Sequence, residues 1–195
     1  PRPPVLPLFP YTTLFGSTGA GTLPLGNRND SQTYQDGDDN LALTGQLGRR
    51  NESGTLQDGD DNIAGTLQVG DHNDAYTWQD GTGNWSATIQ DGKHNDSYVD
   101  QWGDLNISGV LQDGNSNESD VLQWGNRNTS GVLQDGNQND SWVWQWGDRN
   151  TSTVRQVFNH NDSQVYQWGN RNESDVYQNG KRNDSYVDQT GRRNV

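Results

Sequence analysis

The chain contains no cysteine and no methionine, and all six of its prolines fall within the first 25 residues. Without cysteine there is no disulfide framework, no thiolate metal site and no thiol nucleophile. Hydrophobic residues make up 27% of the 195 positions and the mean hydropathy is -1.13, too polar for an ordinary apolar core. No run comes near the roughly 18 apolar residues that cross a bilayer as a helix, so no membrane span is expected. Cations are scarce as well: 13 Lys and Arg stand against 26 Asp and Glu, a net charge of -13. Phosphate binding needs clustered cations, so nucleic acid is excluded as an expected partner, and the acidic balance reads chiefly as solubility. No Ser, His and Asp set and no carboxylate pair stands apart from the rest of the chain, so neither catalysis nor a cofactor is expected.

So polar a chain is either disordered or held by something other than apolar burial. Disorder predicts biased composition without fixed spacing; here the spacing is strict. Glutamine recurs every eleven residues through fifteen units, as at Gln35, Gln46, Gln57, Gln112, Gln123, Gln178 and Gln189. Glycine follows two residues later, as at Gly37, Gly48, Gly59, Gly114, Gly125 and Gly180, except where Phe158 replaces it. Asparagine follows five residues after each glutamine, as at Asn40, Asn51, Asn62, Asn117, Asn128, Asn183 and Asn194. The unit Q-x-G-x-x-N-x-[SA]-x-[TV]-x is the signature of a repeat fold.

Within a unit, Asn, Ser or Ala, Thr or Val, and the next Gln stand at alternate positions, which is the period of a strand. The G-x-x-N stretch supplies a tight turn, and Phe158 is expected to strain or widen its own. The inward side is set by the position that reads Thr from residue 33 to 88 and Val from 99 onward. Those side chains share a shape and differ in polarity, so shape is what the position requires. The intervening positions vary freely and face solvent or a partner. A second period of 22 residues appears in Trp102, Trp124, Trp146 and Trp168, an outward aromatic column, so one coil holds two units. The predicted fold is all-β: a solenoid with two strands per 22-residue coil, two facing parallel sheets and a polar Asn/Gln-laddered core over residues 26–195. Residues 1–25 are read as a flexible Pro-rich leader, and the start at Pro1 suggests a processed or trimmed terminus.

Repeated in this way, Q-x-G-x-x-N-x-[SA] closely resembles the curlin repeat of curli fibre subunits, over about Gly26 to Val195. The resemblance implies a non-enzymatic, secreted bacterial matrix amyloid, exported unfolded by a secretion machinery and started by a nucleator at the cell surface, that serves adhesion and biofilm. The chain is longer than the usual five double repeats, and residues 1–25 do not match the family's secretion-targeting segment.

Carboxamides carry a donor and an acceptor each, so identical Gln and Asn residues about 4.8 Å apart can bond to their copies above and below. The expected site is therefore the self-assembly ladder itself, with the partner another copy of the chain. Both ends of the repeat array are expected to be uncapped, with the 29–35 strand of one subunit stacking near the 183–189 strand of the next. A monomeric adhesin or glycan binder using the outward Trp and Tyr columns is the alternative. QDGDDN segments at 35–40 and 57–62 resemble calcium-binding β-rolls, but those repeat every nine residues and most units here lack the acids. His72, His94 and His160 lie with Arg28, Arg50 and Arg182 on one turn edge, a basic rim rather than a metal site.

Overall fold

The computed structural model describes residues 11–14 and 18–195. Its strands are β1 (Tyr11–Leu14), β2 (Gly19–Asn27), β3 (Asp30–Asp36), β4 (Leu41–Arg49), β5 (Glu52–Asp58), β6 (Ile63–Asp71), β7 (Asp74–Asp80), β8 (Trp85–Lys93) and β9 (Asp96–Trp102). There follow β10 (Ile107–Asn115), β11 (Glu118–Trp124), β12 (Thr129–Asn137), β13 (Asp140–Trp146), β14 (Thr151–Val157), β15 (Asp162–Asn170), β16 (Glu173–Asn179) and β17 (Asp184–Arg192). Odd strands form one nine-stranded sheet and even strands one eight-stranded sheet, each in chain order. The fold is the all-β two-sheet solenoid that the eleven-residue unit requires. Among the described residues no helix is long and apolar enough to cross a membrane.

Every pairing is parallel, and from β3 onward each residue pairs with the one 22 positions away: Val110 with Val132, Gln112 with Gln134, Gln145 with Gln167. The alternating pattern turns Asn, Ser or Ala, Thr or Val, and Gln inward, where they are almost wholly buried. In the later coils the valines at 99, 110, 121, 132, 143, 154, 165 and 176 form one buried cluster. The earlier threonines fill the same column; Thr44 is 5% exposed and Val143 0%. Equal burial of two isosteric side chains accounts for their exchange along the sequence.

Each turn is held by backbone N–H groups donating to carbonyls of the adjacent coil, as from Gly59 to Asp36 at 3.1 Å and Asp61 to Asp38 at 3.0 Å. Gly37 sits at φ +105°, and a Cβ there would strike the Gly59 carbonyl, so only glycine allows this coil spacing. Two residues further on, the chain takes a left-handed conformation in every turn, with φ 57° at Asp39, 56° at Arg50 and 59° at Arg127. That residue varies freely in type, so the sequence carries no sign of it. Phe158 adopts φ 73° in place of its glycine, a costly region for a bulky side chain. Strain is therefore present, but the turn is not widened: the Phe158 N–H still donates to Asp135 at 2.8 Å.

The boundary expected at residue 26 needs correction. Within the segment read as a leader, β2 pairs with β4 over nine residues and β1 with β3 over four. Strand 30–36 is thus not the edge of its sheet. Pro24 stands in register with Gln46, and an outermost strand tolerates it because proline lacks only a donor. The remainder of the expected leader, residues 1–10 and 15–17, lies outside the described residues.

Candidate self-assembly site

The glutamines form two continuous columns, one per sheet. Gln112 Nε2 donates to Gln134 Oε1 at 2.9 Å, Gln123 to Gln145 at 2.9 Å, and Gln156 to Gln178 at 2.9 Å. The same bond joins Gln35 to Gln57, Gln46 to Gln68 and Gln167 to Gln189. The second amide proton goes across to the facing sheet, as from Gln112 to the Asp96 carbonyl at 2.8 Å. A buried glutamine thereby ties its own sheet, the next coil and the opposite sheet together. Unsatisfied, such a group would cost about 1–3 kcal/mol.

Direction is uniform: every glutamine–glutamine bond runs from the earlier coil's Nε2 to the later coil's Oε1. At one end the acceptors Gln35 Oε1 and Gln46 Oε1 are buried without a partner, because Leu14 and Pro24 stand where glutamine would donate. At the other, the half-buried Gln189 donates only to the Glu173 carbonyl, at 2.7 Å.

The asparagines do something different from simple amide stacking. Asn40 Oδ1 accepts the backbone N–H of Asn62 at 3.0 Å, and its Nδ2 donates to the Gly59 carbonyl at 2.6 Å. Asn51, Asn62, Asn117 and Asn128 repeat the bond to a turn carbonyl. Near the C-terminal coils Asn183 and Asn194 also reach the asparagine of the preceding coil. One methylene shorter than glutamine and placed at a strand entry, asparagine serves mainly as a clamp on the neighbouring turn. That distinction is not visible in the spacing.

The third polar column is a spacer. Ser53, Ser108, Ser130 and Ser152 are buried, yet their hydroxyls make no hydrogen bond; Ala42, Ala64 and Ala75 fill the same position. A serine hydroxyl cannot span the coil spacing that a glutamine spans, so the column requires small volume alone.

Outside the nine-stranded sheet, Trp102, Trp124, Trp146 and Trp168 stack with centroid distances of 5.4, 4.6 and 4.8 Å and interplanar angles of 21, 14 and 4°. Apart from the far face of Trp168, which pairs with Thr190 and is 57% exposed, their faces are taken by one another, which leaves ring edges toward solvent. Face-on stacking against a sugar is therefore largely closed to this column. Of the second outward column, Tyr76 donates to Glu52 Oε1 at 2.7 Å. Burial first, and then that hydrogen bond, hold its phenol above the usual range.

Sequence reasoning missed one column. Asp30, Glu52, Asp74, Asp96, Glu118, Asp140, Asp162 and Asp184 begin the successive strands from β3 to β17 on one sheet. The signal is present at 22 residues but hidden at eleven, because alternate units carry Leu41, Ile63, Trp85 and Ile107. Burial pushes Asp140 up to about 6, with the Glu118 and Asp162 carboxylates adding to it. Nearby, burial raises Asp100 to about 6, and burial with Glu118 and Asp96 raises Asp120 to about 6. On the turn edge His72 and His94 stack at 4.9 Å, and Arg50 Nη1 lies 3.1 Å from His72 Nε2.

Against known families, the curlin associated repeat matches residues 169–194. That stretch closes β15 and spans β16 and β17, and its Gln, Gly and Asn positions lie in the same columns as those of every earlier coil from β3 onward. Over residues 169–194 the chain carries a curlin associated repeat. No curated protein matches the chain. The curlin-repeat family is structural rather than enzymatic, and here the repeats build the laddered solenoid described above.

Proposed function

We propose that this curlin-repeat chain is the structural subunit of an extracellular, curli-like amyloid fibre that grows by end-to-end stacking of strands. The reading rests above all on the glutamine columns. The bonds that join one coil to the next are the bonds that would join one copy to the next, and they have a donor end and an acceptor end. In the matching register, β17 of one copy takes the place that β1 holds against β3 of another. Gln189 then donates to the orphaned Gln35 Oε1, and Arg192 and Arg193 come to stand over Asp38 and Asp39. The nine residues of β17 would replace the four of β1. Secretion, a surface nucleator, adhesion and biofilm support follow from the family resemblance and belong to the same proposal. The glycan-binding alternative is weakened by the closed faces of the tryptophan stack.

Purified chain that starts soluble should gain thioflavin fluorescence in a seeded, concentration-dependent manner and give a meridional reflection at about 4.8 Å. A chain that stays monodisperse at high concentration, with or without seeds, would refute the reading.

A further inference from the structure

The outward face of the eight-stranded sheet differs from that of its partner sheet. From β2 to β12 its first three outward columns carry no charge at all, and the fourth, at the margin, gains Asp91, Asp113 and Asp135 only in the later strands. Leu67, Ile89 and Leu111 remain 39, 41 and 38% exposed. In all six strands the two central outward positions hold one small and one large side chain. Gly65 precedes Leu67 and Gly109 precedes Leu111, whereas in β4 the order is reversed, Leu43 before Gly45. The result is an aliphatic ridge beside a groove.

Packing within the sheet accounts for two of the small residues, since a Cβ at Gly21 or Gly45 would come 3.2 Å from Leu43 or Leu67, but not for the later ones. A Cβ added at Gly65, Gly109 or Gly131 would meet nothing within 4 Å, and none of the three has a left-handed φ. Glycine inside a strand weakens it, so these small residues answer to something outside the molecule. A two-fold axis parallel to the coil stack, running between the two central columns, lays each ridge into the groove of a second copy at the same height. It also maps Leu43 onto Gly45 of that copy, so the reversed order in β4 is matched too. Self-complementarity of this kind is the mark of an isologous contact. The opposite face, with its continuous column of carboxylates, has no such match.

We propose that this aliphatic face pairs two copies of the chain side by side, sheet against sheet, with antiparallel strand directions. Six strands at about 4.8 Å and seven residues at about 3.3 Å give a face of roughly 650 Å². Two such faces bury about 1,300 Å², at the lower end of stable interfaces, and polymerisation would repeat the contact at every subunit. The pairing goes beyond the end-to-end reading and does not depend on it.

Sedimentation velocity of the soluble full-length chain and filament width in electron micrographs read the pairing; thioflavin growth and filament length read the end-to-end contact separately. Wild-type chain should show a concentration-dependent dimer, or filaments two solenoids wide. Gly109→Leu with Gly131→Leu fills the groove and should abolish the dimer and halve the width while the β-sheet circular dichroism is unchanged. Adding Leu111→Gly and Leu133→Gly restores one small and one large residue per strand, in the order β4 already uses, and should restore pairing. Should the groove-filled chain fail to fold, Leu67→Lys on an exposed side chain serves as the disrupting variant. Wild-type chain that is single under every condition, disrupting variants that pair as before, or a folded swapped variant that stays single would each overturn the proposal.

Discussion

The earlier and later coils share their amide columns and little else. Up to β8 the inward column between Ser or Ala and Gln is threonine; from β9 it is valine. On one turn edge the earlier coils present Asp38, Asp39, Asp60 and Asp61 and the later ones Arg127, Arg149, Arg171 and Arg193. Strand register and coil stacking pass through these changes undisturbed. The glutamine and asparagine bonds are therefore what the architecture demands, whereas the column beside them demands only a shape, and the outside is free to serve contacts.

Breaking the shared feature should have the largest effect. Gln112→Ala removes the link between Gln90 and Gln134 and leaves buried amide groups unpaired around a cavity. A loss of about 3–5 kcal/mol is expected by urea unfolding of the soluble chain. Exchanging the columns that differ should matter less and in opposite senses. The Thr88 hydroxyl is buried without a partner and Thr88 pairs with Val110. Thr88→Val should gain about 1 kcal/mol, and Val110→Thr should lose about 1–2 kcal/mol; a cost for both would show that each coil is fitted to its own side chain and not to a shape the two share. The smallest effect comes from the half-buried carboxyls of the later coils. Asp100, Asp120 and Asp140 hold their protons up to about pH 6 in the folded state, above the usual carboxyl range near 4. Their protonated form is thus favoured by folding, so that stabilisation is complete below about pH 4 and lost as pH rises to about 6. The urea midpoint should climb as pH falls from 7 to 5, and Asp120→Asn should flatten the climb.

Much of the fold was legible because a repeat states its geometry many times over: period two gave the strands, eleven the strand and turn, 22 the coil. The inward column was readable from one exchange, threonine for valine, that preserves shape. What escaped has physical causes. Asn40 and Gln35 look alike to a spacing argument, but side-chain length decides that one clamps a turn and the other joins its copy. Spacing alone assigns Ser108 no role; its hydroxyl is buried without a partner, too short to reach a neighbour. The acidic column and the small-and-large pairs appear only when the two sheets are read separately. Strand β2 was passed over because Pro24 reads as a breaker, though an edge needs bonding on one side only.

The uniform direction of the glutamine bonds has an electrical consequence. Carboxamide dipoles aligned head to tail add, as peptide dipoles do along a helix, and here two such rows run the same way within one narrow interior. The molecule is thereby a rod with a negative pole at Gln35 and Gln46 and a positive pole at Gln189, and copies joined tip to tail lengthen that field instead of cancelling it.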